Sequence, residues 1–121
     1  MINRVDVVSI PVSDQDRAKA FYRDKLGFTE LSDTAMGGGM RWVQLAPPGS
    51  ATSVTLVTWF DSMPAGSLRG LVLNTPTLDT DAEELRRKHV ETSPIQEQPW
   101  ARFLTLTDPD GNGLILQQRA D

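Results

Sequence analysis

The chain has 121 residues, with 12 Lys and Arg against 16 Asp and Glu, a formal net charge of −4. That is the length of one domain, spanning 1–121, and the charge excludes the basic footprint that nucleic-acid binding needs. There is no Cys, so disulfides and thiolate metal sites are excluded and a cytoplasmic setting is favoured. No apolar run approaches the roughly 20 residues that cross a bilayer, and MINRVDVVSI lacks the long apolar core of a signal peptide. A soluble intracellular protein with no membrane partner is expected.

The stretch VDVVSIPV (5–12) is β-branched and apolar, as a buried strand would be. A helix is predicted over SDQDRAKAFYRDKLG (13–27). Ser13 or Asp14 can cap it, since a short side-chain oxygen accepts a free first-turn N–H. Ala18, Phe21, Tyr22 and Leu26 recur at helical spacing, and Gly27 suits a left-handed end. Three strands are predicted next, at 28–34, 40–46 and 53–60, separated by GGG (37–39) and PPGSA (47–51).

The pattern then restarts. RGLVLNTPT (69–77) reads as a strand, LDTDAEELRRKHV (78–90) as a helix capped by Asp79, then come a short irregular strand near 91–96 and strands at 101–107 and 113–119. Both halves therefore run strand, helix, strand, strand, strand. The fold class is α+β, with module one at 1–60, a joint at DSMPAGS (61–67) and module two at 68–121. A βαβββ unit leaves one sheet face uncovered, and two units can curl around a shared cleft. One residue breaks the parallel: His89 stands where a counterpart of Gly27 is expected, so either the second helix ends differently or strain is stored there.

DPDGNGLILQQ (108–118) could open a calcium loop, because Asp108, Asp110, Asn112 and Gly113 match its first donor positions. The position that needs a bidentate Glu is Arg119, and the flanks are β-like. A turn is the better account: Pro109 presets it, Gly111 or Gly113 allows positive φ, and Asp108 can accept nearby backbone N–H groups.

With VSIPVSDQDRAKAFYRDKLGF early and DPDGNGLILQQ late, the whole chain resembles the glyoxalase / bleomycin-resistance / extradiol-dioxygenase superfamily, the vicinal oxygen chelate proteins. The resemblance implies paired βαβββ modules forming an open barrel-like sheet around a central cleft, often in a homodimer. It also implies a divalent cation held by His and Glu at four strand positions. Those positions correspond here to Val7, Leu56, Val72 and Ile115, all aliphatic. Aliphatic side chains have no lone pair to offer an ion. No catalytic metal and no cofactor are therefore expected, and glyoxalase-type lyase or dioxygenase chemistry loses its usual basis.

An apolar cleft with a few polar anchors is an ordinary small-molecule site. Besides those four aliphatic residues, the predicted ligand-binding set is Ser9, Arg41, Trp42, Thr58, Trp59, Trp100, Arg102 and Gln117. The indoles offer stacking faces or simply pack in a core or dimer seam. The arginines anchor an anion or point to solvent. Ser9, Thr58 and Gln117 share strand faces with the aliphatic positions. No nucleophilic triad or phosphate loop is legible, so catalytic residues are not assigned.

Three functions remain. One is metal-free binding of a small molecule of unknown identity, of the drug-sequestering kind, with the acidic charge favouring a cation at long range. Another is a lyase, isomerase or dioxygenase-type enzyme with unorthodox or no metal ligands. The last is a scaffold whose tryptophans serve only a dimer, which the apolar Met40, Phe60 and Met63 would suit.

Overall fold

The computed structural model describes residues 1–120; Asp121, the last residue of the second predicted module, lies outside them. The first module contains β1 (Val7–Pro11), α1 (Gln15–Ala20) with a π-helical continuation (Phe21–Lys25), β2 (Thr29–Gly37), β3 (Met40–Ala46) and β4 (Ser53–Val57). The second contains β5 (Leu71–Asn74), α2 (Leu78–Arg87), β6 (Gln96–Glu97), β7 (Ala101–Thr107) and β8 (Gly113–Arg119). Strand order is β1-β4-β3-β2 in one sheet and β5-β8-β7-β6 in the other. In each, the first and last strands of the module pair in parallel, so the internal repeat extends to topology.

The two helices differ at their ends. Asp14 caps α1, its carboxylate accepting the Arg17 N–H at 3.0 Å. The Leu26 N–H bonds to the Phe21 carbonyl, five residues back, so the π-helical turn holds one extra residue before Gly27 at φ 78°. For α2 the predicted cap is corrected: Thr77 occupies the cap position, its hydroxyl bonding to Asp81 rather than accepting a first-turn N–H, and Asp79 reaches a strand arginine instead. His89 takes φ 63°, so the left-handed conformation is kept and carried by a residue with a Cβ.

Each sheet turns one side to its helix. Ile10, Val43, Leu45, Val54 and Leu56 of the first module join Leu104, Leu106 and Leu114 of the second in a single core, with Ala18, Tyr22 and Leu78 supplied by the helices. Fully burying one such leucine contributes roughly 1.5–3 kcal/mol, so a core shared by both halves binds them together.

The DPDGN turn fastens the same junction. Asp108 Oδ1 accepts the Asp110 and Asn112 N–H groups, forming the turn. Its Oδ2 accepts the buried Tyr22 hydroxyl at 2.8 Å and the Asn112 amide. The Asn112 amide also donates to the Pro11 carbonyl at 2.8 Å, and Ser13 bonds to Asp110. Lys25 donates to the Lys88 carbonyl while Lys88 donates to the Asp24 carbonyl, a reciprocal pair across the helix ends. Among the described residues no helix is long and apolar enough to cross a membrane.

Candidate functional site

Side chains alternate along a strand, so the pairing register decides which residues share a face. Val7 pairs with Ser53 and Ser9 with Thr55. Thr55 pairs with Gln44, and Trp42 lies two residues from Gln44 along β3. Val7, Ser9, Trp42, Gln44, Ser53 and Thr55 therefore share the side facing away from α1. In the second module Val72 pairs with Ile115, Asn74 with Gln117, and Phe103 with Gln117. Val72 is 47% exposed, and Phe103, Ile115 and Gln117 are half-buried.

Leu56 needs correction. It pairs with Ile10 and has no exposed surface, because it belongs to the helix-side core. The opposite side of β4 carries Ser53, Thr55 and Val57, which are themselves buried, so this strand forms the floor beneath the aromatic residues rather than exposed surface. Thr58 is exposed just beyond the end of β4, and Trp100 is 68% exposed in the turn before β7.

The two arginines also lie on the helix side. Arg41 donates through Nε and Nη2 to the two carboxylate oxygens of Asp33, both at 2.8 Å, and pairs with Asp16 of α1 at 2.8 Å. Lys19 bridges Asp33 and Glu30. Arg102 repeats the device: it pairs with Asp79 of α2 at 2.8 Å and Glu97 of β6 at 2.7 Å. These neighbours hold the Asp33 carboxyl well below the usual carboxylate range, chiefly through the Arg41 and then the Lys19 hydrogen bond. Both guanidiniums are engaged by acids, and each ties a strand to the first turn of its own module's helix.

On the open side of the first module the aromatic residues gather. Trp42 and Trp59 stack, with ring centroids 6.4 Å apart and planes 27° from parallel, and Phe60 continues the cluster 6.1 Å from Trp59. The Trp42 indole Nε1 donates to Gln44 Oε1 at 2.9 Å, the Gln44 amide donates to Ser53 Oγ at 2.7 Å, and Ser53 donates to the Asp6 carbonyl. The indole's single donor is thus satisfied internally, and what Trp42 presents outward is its ring. Gln44, Ser53, Thr55 and Phe103 are absent from the sequence-derived set; a consistent two-residue step from Trp42 and Gln117 would have found Gln44 and hinted at the rest.

The family's divalent cation does not fit these residues. Val7, Val72 and Ile115 offer no donor, and the Thr55 hydroxyl, which replaces Leu56 on this side, donates to the Val43 carbonyl at 3.0 Å. Among the described residues no three His, Cys, Asp or Glu side chains are grouped to hold an ion.

A separate crevice of about 240 Å³ opens where the modules meet on the helix side. Leu26, Leu73, Leu85 and Leu106 line it, with Lys25, Lys88 and Glu84 at its rim. It falls below the roughly 300–1,000 Å³ of usual ligand pockets, and its lysines are bonded to backbone carbonyls. The aromatic side of the first sheet is the better candidate.

A family profile described as the Glyoxalase/Bleomycin resistance protein/Dioxygenase superfamily matches residues 4–116. The Bacillus subtilis (strain 168) protein YetH, itself described as uncharacterized, is 30% identical over 98% of this chain and 100% of its own. Among solved structures, TnmS3, an antibiotic binding protein from Streptomyces sp. CB03234, superposes with a TM-score of 0.94 at 44% identity, over 98% of both chains. A superfamily member from Sphaerobacter thermophilus DSM 20745 superposes at 0.89 with 34% identity, over 97% of this chain and 98% of that one.

Proposed function

The chain belongs to the Glyoxalase/Bleomycin resistance protein/Dioxygenase superfamily, and we propose that within it the protein binds a small organic molecule without a metal. The observation that carries this is the Trp42–Trp59 stack on the open sheet side, extended by Phe60. Stacked indoles give a rigid apolar surface for a planar partner at little entropic cost. Similarity to TnmS3, an antibiotic binding protein, supports an antibiotic or related compound as the ligand, and sequestration is the role we propose for that binding.

The ligand-facing set in this proposal is Val7, Ser9, Trp42 and Trp59 from the first module with Val72, Ile115 and Gln117 from the second. Thr58 and Trp100 stand at its edges. Leu56, Arg41 and Arg102 drop out, the first buried and the others held by acids. We further propose a homodimer, in which exposed apolar residues such as Met40 and Phe60 are covered and the open sheet sides become a cleft. A cytoplasmic location is part of this proposal, since a chain without cysteine needs no oxidising compartment.

Tryptophan fluorescence and thermal shift across an antibiotic library test the binding function. At least one compound quenches saturably in the wild type and at least tenfold more weakly in Trp42→Ala and Trp59→Ala. If no compound gives a saturable response, the protein is a scaffold and the proposal fails. Light scattering tests the dimer.

A further inference from the structure

The strands sort their charges by side. Glu30 pairs with Leu45 and Asp33 with Val43, which places both acids on the helix side. Arg41, Arg102 and Glu97 lie there too, locked in the ion pairs with the helix acids. On the open side the polar residues are neutral. Ser9, Trp42, Gln44 and Thr55 represent the first module there, and Ile115 and Gln117 the second. Among the described residues, Arg119, exposed at the end of β8, is the one ionisable strand residue on this side.

From this partition, and resting on the binding function proposed above, we infer that the ligand is uncharged. A charged group seated on the first module's side of this surface would lose hydration and meet no counter-ion from the strands beneath it, the charged loop residues Arg69 and Glu91 standing instead beside Ile115 of the second module, and burying an unpaired charge is far costlier than burying a hydrogen-bonded neutral group. The Trp42, Gln44 and Thr55 donors are used within the sheet, which leaves the half-buried Ser9 and Gln117 to meet carbonyl, ether and hydroxyl groups. The net charge of −4 acts only at long range and is screened within about 8–10 Å at ordinary salt. It changes the rate of encounter, not the fit. The cationic preference suggested by net charge is therefore replaced by a preference for neutral molecules.

Three probes with one ring system test this: 2-naphthalenemethanol, 2-naphthylmethylammonium and 2-naphthoate. Binding is read from the indole N–H resonances of Trp42 and Trp59, assigned with Trp42→Phe and Trp59→Phe. The alcohol binds at least tenfold more tightly than either ion, and its affinity changes less than twofold between 20 and 500 mM NaCl. Ser9→Asp, and independently Gln44→Glu, shifts preference toward the ammonium. An ion that binds as tightly as the alcohol to the wild type overturns the inference while leaving small-molecule binding intact. No saturable response to any probe, or to the antibiotic library, overturns both.

Discussion

Tyr22 is the chain's single tyrosine, so its ionisation can be followed without assignment. It is fully buried and donates to Asp108 Oδ2 at 2.8 Å across the junction of the modules. Burial first, then the charge of Asp108, its hydrogen bond and the charge of Asp110 push the phenol far above its ordinary value of 10.0. Below pH 10 both folded and unfolded states keep the proton, and the stabilisation is whole. Above it the unfolded chain releases a proton that the folded chain retains. Stability then falls by about 1.4 kcal/mol per pH unit, or about 2.7 kcal/mol by pH 12. Lysines also titrate there, so the informative quantity is the difference between wild type and Tyr22→Phe. The variant costs about 1.5–3 kcal/mol at neutral pH, from the lost bond to a carboxylate, and the difference moves by about 2.7 kcal/mol in the variant's favour between pH 9 and 12, enough to close or reverse it. Urea denaturation across this range, with phenolate absorbance at 295 nm, measures both. A reversible phenolate transition near pH 10 in the folded protein would refute the buried hydrogen bond.

Gly66 lies at φ 83° in the joint, and a Cβ there would stand 2.1 Å from the Asp110 carbonyl oxygen. Gly66→Ala should cost roughly 3 kcal/mol, because the alanine is both strained and overpacked. Gly38→Ala, at φ 61° with nothing within 4 Å, should cost about 1 kcal/mol; equal losses in urea would show that the joint does not press on the DPDG turn. His89→Gly relieves the left-handed histidine and should raise the denaturation midpoint by the equivalent of about 0.5–1 kcal/mol; a lower midpoint would mean the imidazole makes a contact that outweighs the strain. The depressed Asp33 carboxyl contributes stability above its ordinary value of 3.8 and loses it as pH falls toward the folded value. Asp33→Asn should thus cost about 1 kcal/mol at pH 7, modest because the group is partly exposed, and the deficit should shrink steadily from pH 4 to pH 2. A deficit constant over that interval would assign the loss to packing rather than to the ion pairs.

The order of elements was readable from the chain because it rests on local chemistry. Alternating and helical hydrophobic periods, Asp14 before α1, Gly27 after it and the Pro-Gly-Asn turn at 109–112 each act within a few residues, and β3, β7 and β8 begin and end where the pattern places them. The duplication of βαβββ followed from that order, and so did the aliphatic character of Val7, Val72 and Ile115. The extra residue of the π-helical turn was not readable, since it replaces one helical hydrogen bond with another and leaves composition unchanged.

Which way each strand faces was settled only by the folded structure. A slip of one residue exchanges the two sides of a strand: counting along the chain puts Leu56 on the cleft side, whereas the register puts Thr55 there and Leu56 in the helix-side core. Arg41 and Arg102 neighbour tryptophans in sequence, which leaves a ligand anchor and a solvent-facing side chain equally compatible with the pattern. Their partners Asp16, Asp33, Asp79 and Glu97 lie on other elements and come within reach only when the helices dock. The separation into a charged side against the helices and a neutral aromatic side arises the same way. It depends on register between strands and on contacts between distant segments, and no local pattern of residues encodes either.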